Sequence, residues 1–238
     1  MIRLTDLRTG YGRAEALHGV SIDVHPGEVL AIVGPNGAGK TTLLSAIAGV
    51  RPVWSGTITL DGADITSTPT ANRVERGIVL CPEGRRIFAS LSVEENLRVG
   101  AVSLRAKGSK TSPKEAIESA YERFPILGER RTQRGGTLSG GQQQMLAIAR
   151  ALISEPEYLL LDEPSLGLAP AVIEYVYEIL GALKEGGLAI AMVEEGAERA
   201  LAFADNALVL NSGKIVLEGT ASELSSHSDL VTSYLGEH

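Results

Sequence analysis

Short runs of uninterrupted apolar residues mark the centre of this chain, each ended by turn-forming or charged residues. Val29-Leu30-Ala31-Ile32-Val33, Ile78-Val79-Leu80-Cys81, Tyr158-Leu159-Leu160-Leu161 and the stretch from Leu188 to Val193 are all too short for helices. Runs of this length without alternation predict strands covered on both faces, as in a parallel sheet. Elsewhere apolar and polar residues alternate. Ile2, Leu4 and Leu7, then Val20, Ile22 and Val24, then Ile58 and Leu60 read as half-exposed antiparallel strands, the last closed by the turn at Asp61-Gly62. Ala207 to Leu210 and Lys214 to Leu217 predict a hairpin around Asn211-Ser212-Gly213. Helical spacing takes over from 92 to 153, through Val93–Leu97, Lys114–Arg123 and Ser139–Ile153, with Lys107–Pro113 as a polar loop between. A further helix starts at Ala169-Pro170, buries Val172, Ile173, Val176, Ile179, Leu180 and Leu183 on one face, and stops at Gly186-Gly187. The expected fold is one α/β domain over 1–238 with a mostly parallel core sheet. An antiparallel β-subdomain occupies its first third, an α-helical subdomain is inserted at about 90–153, and a short helical tail spans about 219–238.

Composition narrows the setting. With 238 residues, 44% of them apolar, the chain can bury a full core. A net charge of −7 argues against nucleic acid as a partner, because phosphate neutralisation needs clustered Lys and Arg. Cys81 is the only cysteine, so no intrachain disulfide framework or cysteine metal site is possible, and a reducing compartment fits. Ile2–Leu7 lacks the apolar core of a signal peptide, and no apolar run approaches the roughly 20 residues of a membrane span. A cytoplasmic chain follows, one that can still sit on a membrane partner.

Between the first apolar run and a helical stretch from Leu43 lies Gly34-Pro35-Asn36-Gly37-Ala38-Gly39-Lys40-Thr41-Thr42. Gly34, Gly39, Lys40 and Thr41 complete G-x-x-x-x-G-K-[ST]. In such a loop the backbone N–H groups curl around β- and γ-phosphates, the lysine supplies a mobile cation, and the threonine hydroxyl can ligate Mg²⁺. Strand before and helix after place the anion at a helix N-terminus, as in a P-loop NTPase core. Tyr11, between Gly10 and Gly12, is either a turn residue or a face on which a base stacks. Glu83, at the exit of the Ile78–Cys81 strand, is either a solvated loop residue or part of the ligand crevice at the carboxyl ends of the strands.

Ser139 and Gln142 form a capping box, which explains both residues, but Gly140 and Gly141 between them cost helix stability. Close approach of backbone N–H groups to an anion would account for them. Asp162 and Glu163 end the strand Tyr158–Leu161 at a position where unpaired carboxylates are costly. Beside a Mg²⁺-triphosphate, Asp162 can hold the metal through its water shell and Glu163 can orient or deprotonate the attacking water.

The phosphate loop, Leu138-Ser139-Gly140-Gly141-Gln142 and Leu159–Glu163 together resemble the ATP-binding subunits of ABC transporters, over nearly the whole chain. That resemblance implies ATP as the nucleotide, Tyr11 as the adenine-stacking residue, Lys40, Thr41 and Thr42 on phosphates and Mg²⁺, and Glu163 as the catalytic carboxylate. It implies a second ATPase subunit closing head to tail, with Ser139–Gln142 completing the partner's site and Ser165-Leu166-Gly167-Leu168 at the contact. Whether that dimer is homo- or heteromeric stays open. Pro82–Phe88, Glu129-Arg130-Arg131, Gly136-Thr137-Leu138 and Asp162–Pro170 are similar to one ATPase of branched-chain amino acid importers. Such importers add two transmembrane permease subunits and, indirectly, a substrate-binding protein, and place the ATPase on the inner face of the cell membrane. Leucine, isoleucine or valine is the implied cargo, with another small amino acid, urea or an amide as the alternative, and a regulatory subunit of weak or no hydrolysis as the alternative from another class. Two positions depart from the family pattern. Glu83 stands where glutamine is usual, and a carboxylate can still ligate Mg²⁺. Glu195 stands where a histidine usually meets the γ-phosphate. An ionised carboxylate about 4 Å from a phosphate oxygen is repelled by roughly 4 kcal/mol at an effective dielectric near 20, so Glu195 is expected to be protonated, turned away or paired with a cation. Arg85 and Arg86 read as part of the surface facing the membrane subunits, or as merely solvated.

Overall fold

The computed structural model describes residues 1–227 and 233–234. It opens with a long hairpin, β1 (Ile2–Tyr11) and β2 (Ala14–Val24), followed by β3 (Val29–Val33) and α1 (Lys40–Ile47). Then come β4 (Ser55–Leu60), β5 (Ala63–Asp64), α2 (Thr70–Glu75) and β6 (Ile78–Cys81). A helical stretch holds α3 (Val93–Gly100), α4 (Val102–Lys107), α5 (Pro113–Arg123), α6 (Pro125–Glu129) and, after a 3₁₀ turn at Gly135–Thr137, α7 (Gly140–Leu152). The chain continues through β7 (Tyr158–Asp162), α8 (Pro170–Glu185), β8 (Ala189–Glu194), α9 (Ala197–Phe203), β9 (Asn206–Asn211), β10 (Lys214–Thr220) and α10 (Ala221–Ser226). Of the tail expected over about 219–238, residues 228–232 and 235–238 lie outside the described residues.

The main sheet has the order β10-β9-β3-β8-β7-β6. Its pairs are parallel from β9 through β6, and only the β9–β10 hairpin is antiparallel. The uninterrupted apolar runs arise because this sheet is buried on both sides. Val29, Ala31 and Val33 of β3, Leu159 and Leu161 of β7, and Ile190 and Met192 of β8 join the helices α3 to α10 in one core cluster. Their neighbours Leu30, Ile32, Leu160, Ala191 and Val193 face the other way, onto α1 and the antiparallel sheet β2-β1-β4-β5. That second sheet shows the expected alternation, with Ile2, Leu4 and Ile58 buried.

Helix starts follow their caps. Ser92 with Glu95, Ser112 with Glu115, and Ser139 with Gln142 form capping boxes at α3, α5 and α7, and Pro113 and Pro170 occupy the first turns of α5 and α8. Helix α7, the last in the 90–153 stretch, packs under β6 and shares the main cluster with the sheet. Sequence spacing points to no helix over 70–75, yet α2 forms there because Arg73 turns inward. Its guanidinium is buried, and Nε, Nη1 and Nη2 together donate to the carbonyls of Thr68, Ala46, Ile47, Ile65 and Thr66 at 2.7–2.9 Å.

Candidate active site

Parallel strands deliver the site. In register, Val33 of β3 lies beside Glu194 of β8, and Val193 of β8 lies beside Asp162 of β7. The loops leaving these three strands therefore meet at one edge of the sheet, the carboxyl edge at which ligands bind in open α/β folds.

The loop 34–39 leads directly into α1. Gly39 adopts φ 105 at the helix N-cap, α1 has no side-chain cap, and its first turn carries no acid, so its first N–H groups and the positive end of its dipole face the cleft. Gly34 is required for a different reason: a Cβ there would lie 2.1 Å from the carbonyl oxygen of Leu210. Lys40 is buried and folds back over the loop, its Nζ donating to Gly34 O at 2.7 Å and Pro35 O at 3.3 Å, with Glu163 Oε1 at 3.9 Å. Thr41 Oγ1 donates to Asp162 Oδ1 at 3.1 Å. Buried Thr42 donates to the phenol oxygen of Tyr11 at 3.4 Å.

Tyr11, Ala16, Asn36–Thr42, Glu83, Glu163, Leu166 and Glu195 line one cleft of about 580 Å³. A larger hollow of about 760 Å³ between α5, α7 and α8 is lined mainly by apolar and small residues and lies away from this constellation. Chemistry rather than volume selects the smaller cleft, where a cation, a helix N-terminus and three carboxylates converge. Burial raises the pKa of Asp162, and the nearby Glu83 carboxylate raises it further. Glu163 is likewise raised, chiefly by burial, although Lys40 acts in the opposite direction. Glu163 also holds a left-handed backbone (φ 50), fixed by its N–H bond to Val193 O at 2.9 Å. Thr41, Asp162 and Glu83 offer hard oxygen donors and nothing softer, a set that fits Mg²⁺ completed by phosphate oxygens and water.

Sequence and structure differ in emphasis at four places. Tyr11 is not a bare turn residue: it ends β1 at the rim of the cleft, 48% exposed, with the Arg51 guanidinium 3.9 Å from its ring centre. Among the described residues Glu195 meets no cation. It accepts a hydrogen bond from the Asn36 side-chain amide at 3.0 Å, which turns one carboxylate oxygen toward the phosphate loop's own wall. Ser139–Gln142 do not line the cleft. They start α7 elsewhere, where a Cβ on Gly140 would lie 2.9 Å from Arg85 Nη2 and one on Gly141 would lie 2.9 Å from Val172 Cγ1. Arg85 is thus not a freely solvated side chain, since it packs on α7 and donates to Gln143 Oε1 at 3.2 Å, whereas Arg86 stays exposed. Sequence spacing left Arg51 and Glu194 unmarked; for Glu194, the doubled acid at a strand end, as in Asp162-Glu163, was the available signal.

Known proteins place this arrangement. The sequence profile described as ABC transporter matches residues 17–166. BraG of Pseudomonas aeruginosa, a high-affinity branched-chain amino acid transport ATP-binding protein, is 43% identical over 99% of this chain and 100% of its own length. LivF of Archaeoglobus fulgidus, a probable branched-chain amino acid transport ATP-binding protein, is 40% identical over 95% of each. The ADP conformation of MJ1267, an ATP-binding cassette of an ABC transporter, superposes with a TM-score of 0.85 at 30% identity over 100% of this chain and 99% of that one. The chain therefore belongs to the ABC transporter family of ATPases.

Proposed function

We propose that this chain is the ATPase subunit of an importer of leucine, isoleucine and valine, hydrolysing ATP to drive uptake through partner permeases. The observation that carries the hydrolytic reading is the half-buried Glu163 carboxylate 3.9 Å from Lys40 Nζ, across the mouth of the phosphate loop. The cargo rests on the names of BraG and LivF together with full-length identity to them. In this reading the chain is a single cassette over 1–238 in which about 90–153 forms an inserted helical subdomain.

The N–H groups of 37–41 and Lys40 receive the β- and γ-phosphates, and Tyr11 supplies the face for adenine, held from outside the cleft by Arg51. Thr41, Asp162 and Glu83 would hold Mg²⁺, which when bound neutralises phosphate charge. Glu163 takes a proton from the attacking water as it moves in line with the leaving ADP oxygen, and its raised pKa makes it a better base than an ordinary carboxylate. Asn36 holds Glu195 at the γ-phosphate end of the cleft. Because Ser139–Gln142 lie away from this cleft, a second ATPase subunit, packed head to tail, presents its own copy of them to close the site. Two permease subunits and, through them, a substrate-binding protein complete the importer at the inner face of the membrane.

Two outcomes follow. Lys40→Ala weakens ATP affinity at least tenfold, and Tyr11→Ala weakens it about tenfold while leaving inorganic phosphate release per bound nucleotide unchanged, as loss of a base-stacking face worth about 1–3 kcal/mol requires. Fluorescent-nucleotide titration reads both. For the cargo, cells lacking this chain should lose uptake of labelled leucine, isoleucine and valine and regain it with the wild-type chain but not with Lys40→Ala. Unaltered uptake of all three, with loss of urea or amide uptake, would reassign the substrate.

A further inference from the structure

The carboxylate at the end of β8 has no place in the account above. Glu194 is 4% exposed and accepts three hydrogen bonds: from Ser165 N–H at 3.2 Å, from the Ser165 hydroxyl at 2.7 Å and from the Tyr177 hydroxyl at 2.8 Å. Its immediate neighbours are both part of the cleft's framework. Val193 O accepts the N–H of Glu163, which fixes that residue's left-handed backbone, and Glu195 is bonded to Asn36 of the phosphate loop. Behind the network, the Tyr177 ring of α8 packs edge to face on Phe203 of α9, with ring centres 4.9 Å apart, so the hydroxyl that reaches Glu194 is itself held.

A carboxylate costs more to bury than an apolar side chain of similar size, and packing alone would be served better by a leucine or methionine. What the carboxylate adds is direction. It ties the N–H and hydroxyl of Ser165, two residues beyond Glu163, to the strand end that carries Glu195.

We propose that Glu194 is a positioning residue for ATP hydrolysis, clamping the loop 163–168 to the end of β8 so that Glu163 is held facing the cleft while Glu195 stays against Asn36. The inference rests on the hydrolytic reading of the cleft. Glu194 does not touch the nucleotide, so its loss changes turnover rather than binding. Arg199 and Tyr177 are the other ionisable groups that act on it.

The test is a double-mutant cycle on the full chain, with kcat, ATP affinity and Tm measured for each variant. Glu194→Ala and Ser165→Ala are each expected to lower kcat about tenfold with ATP affinity within about twofold of wild type, and the double variant should fall no further than the weaker single. Glu194→Gln should recover kcat to within about threefold of wild type, because its amide oxygen still accepts and the Ser165 hydroxyl can turn to accept from the amide. Ser165→Ala and Tyr177→Phe remove one hydroxyl each without opening a large cavity, so the cycle stands even if Glu194→Ala fails to fold. Wild-type kcat in these variants with only Tm lowered would overturn the clamp, as would a double variant slowed by the product of the two singles. A wild-type chain with no turnover would instead overturn the hydrolytic reading, a result distinct from variants that match an active wild type.

Discussion

Replacing the Glu163 carboxylate by its amide is expected to lower ATP turnover at least about a hundredfold while leaving ATP affinity within about twofold, the range set by loss of a positioned general base. Glutamine keeps the shape of the side chain, so the left-handed backbone at 163 and its bond to Val193 O remain. Lys40 keeps its two loop carbonyls. What disappears is the only group in the cleft combining a raised pKa with a position directly across from the lysine. Calorimetric ATP binding and phosphate release on the same preparation read the two quantities separately. Turnover within threefold of wild type would move the catalytic role to another group.

Arg73→Met is expected to cost about 3–5 kcal/mol of stability, since several buried carbonyls lose their donors at about 1–3 kcal/mol each, and to lower Tm by about 10 °C. All five N–H groups of this guanidinium are used, and two of the carbonyls they reach, Ala46 and Ile47, end the helix whose other end faces the cleft. A buried cation at that C-terminus satisfies orphan carbonyls and opposes the helix dipole's negative pole. Methionine fills the volume and satisfies none of them. Arg73→Lys should recover only part of the loss, since three donors on a point replace five in a plane. Thermal unfolding checks both variants, and a Tm within 2 °C of wild type in Arg73→Met would show that water replaces the guanidinium.

What could be read in the chain beforehand was whatever is local. The phosphate loop, the doubled acids at 162–163 and the capping box at 139–142 each encode their geometry within a few residues. The four buried strands announce themselves because both faces of the main sheet are covered. Arg73 and Arg51 were silent for the opposite reason, and the doubled acid at 194–195 marks a strand end without showing what it meets. Arg73 bonds carbonyls up to 27 residues away, and Glu194 meets Ser165 across 29. Lone arginines look like solvated residues until the fold brings their partners. Gly140 and Gly141 carry a mixed lesson. Anion approach from a second chain remains their proposed role, yet a Cβ on Gly141 would press on Val172 Cγ1 at 2.9 Å within this chain, whereas one on Gly140 would meet only the movable end of Arg85.

The most direct test of the account is steady-state Mg-ATP hydrolysis by the purified wild-type chain over a range of chain concentrations, with Glu163→Gln as the blank. A site whose phosphate cradle comes from one chain and whose Ser139–Gln142 come from another predicts a rate above the blank that rises more steeply than linearly with concentration before saturating. A rate above the blank that stays strictly proportional to chain concentration would contradict it, because each chain would then be turning over alone.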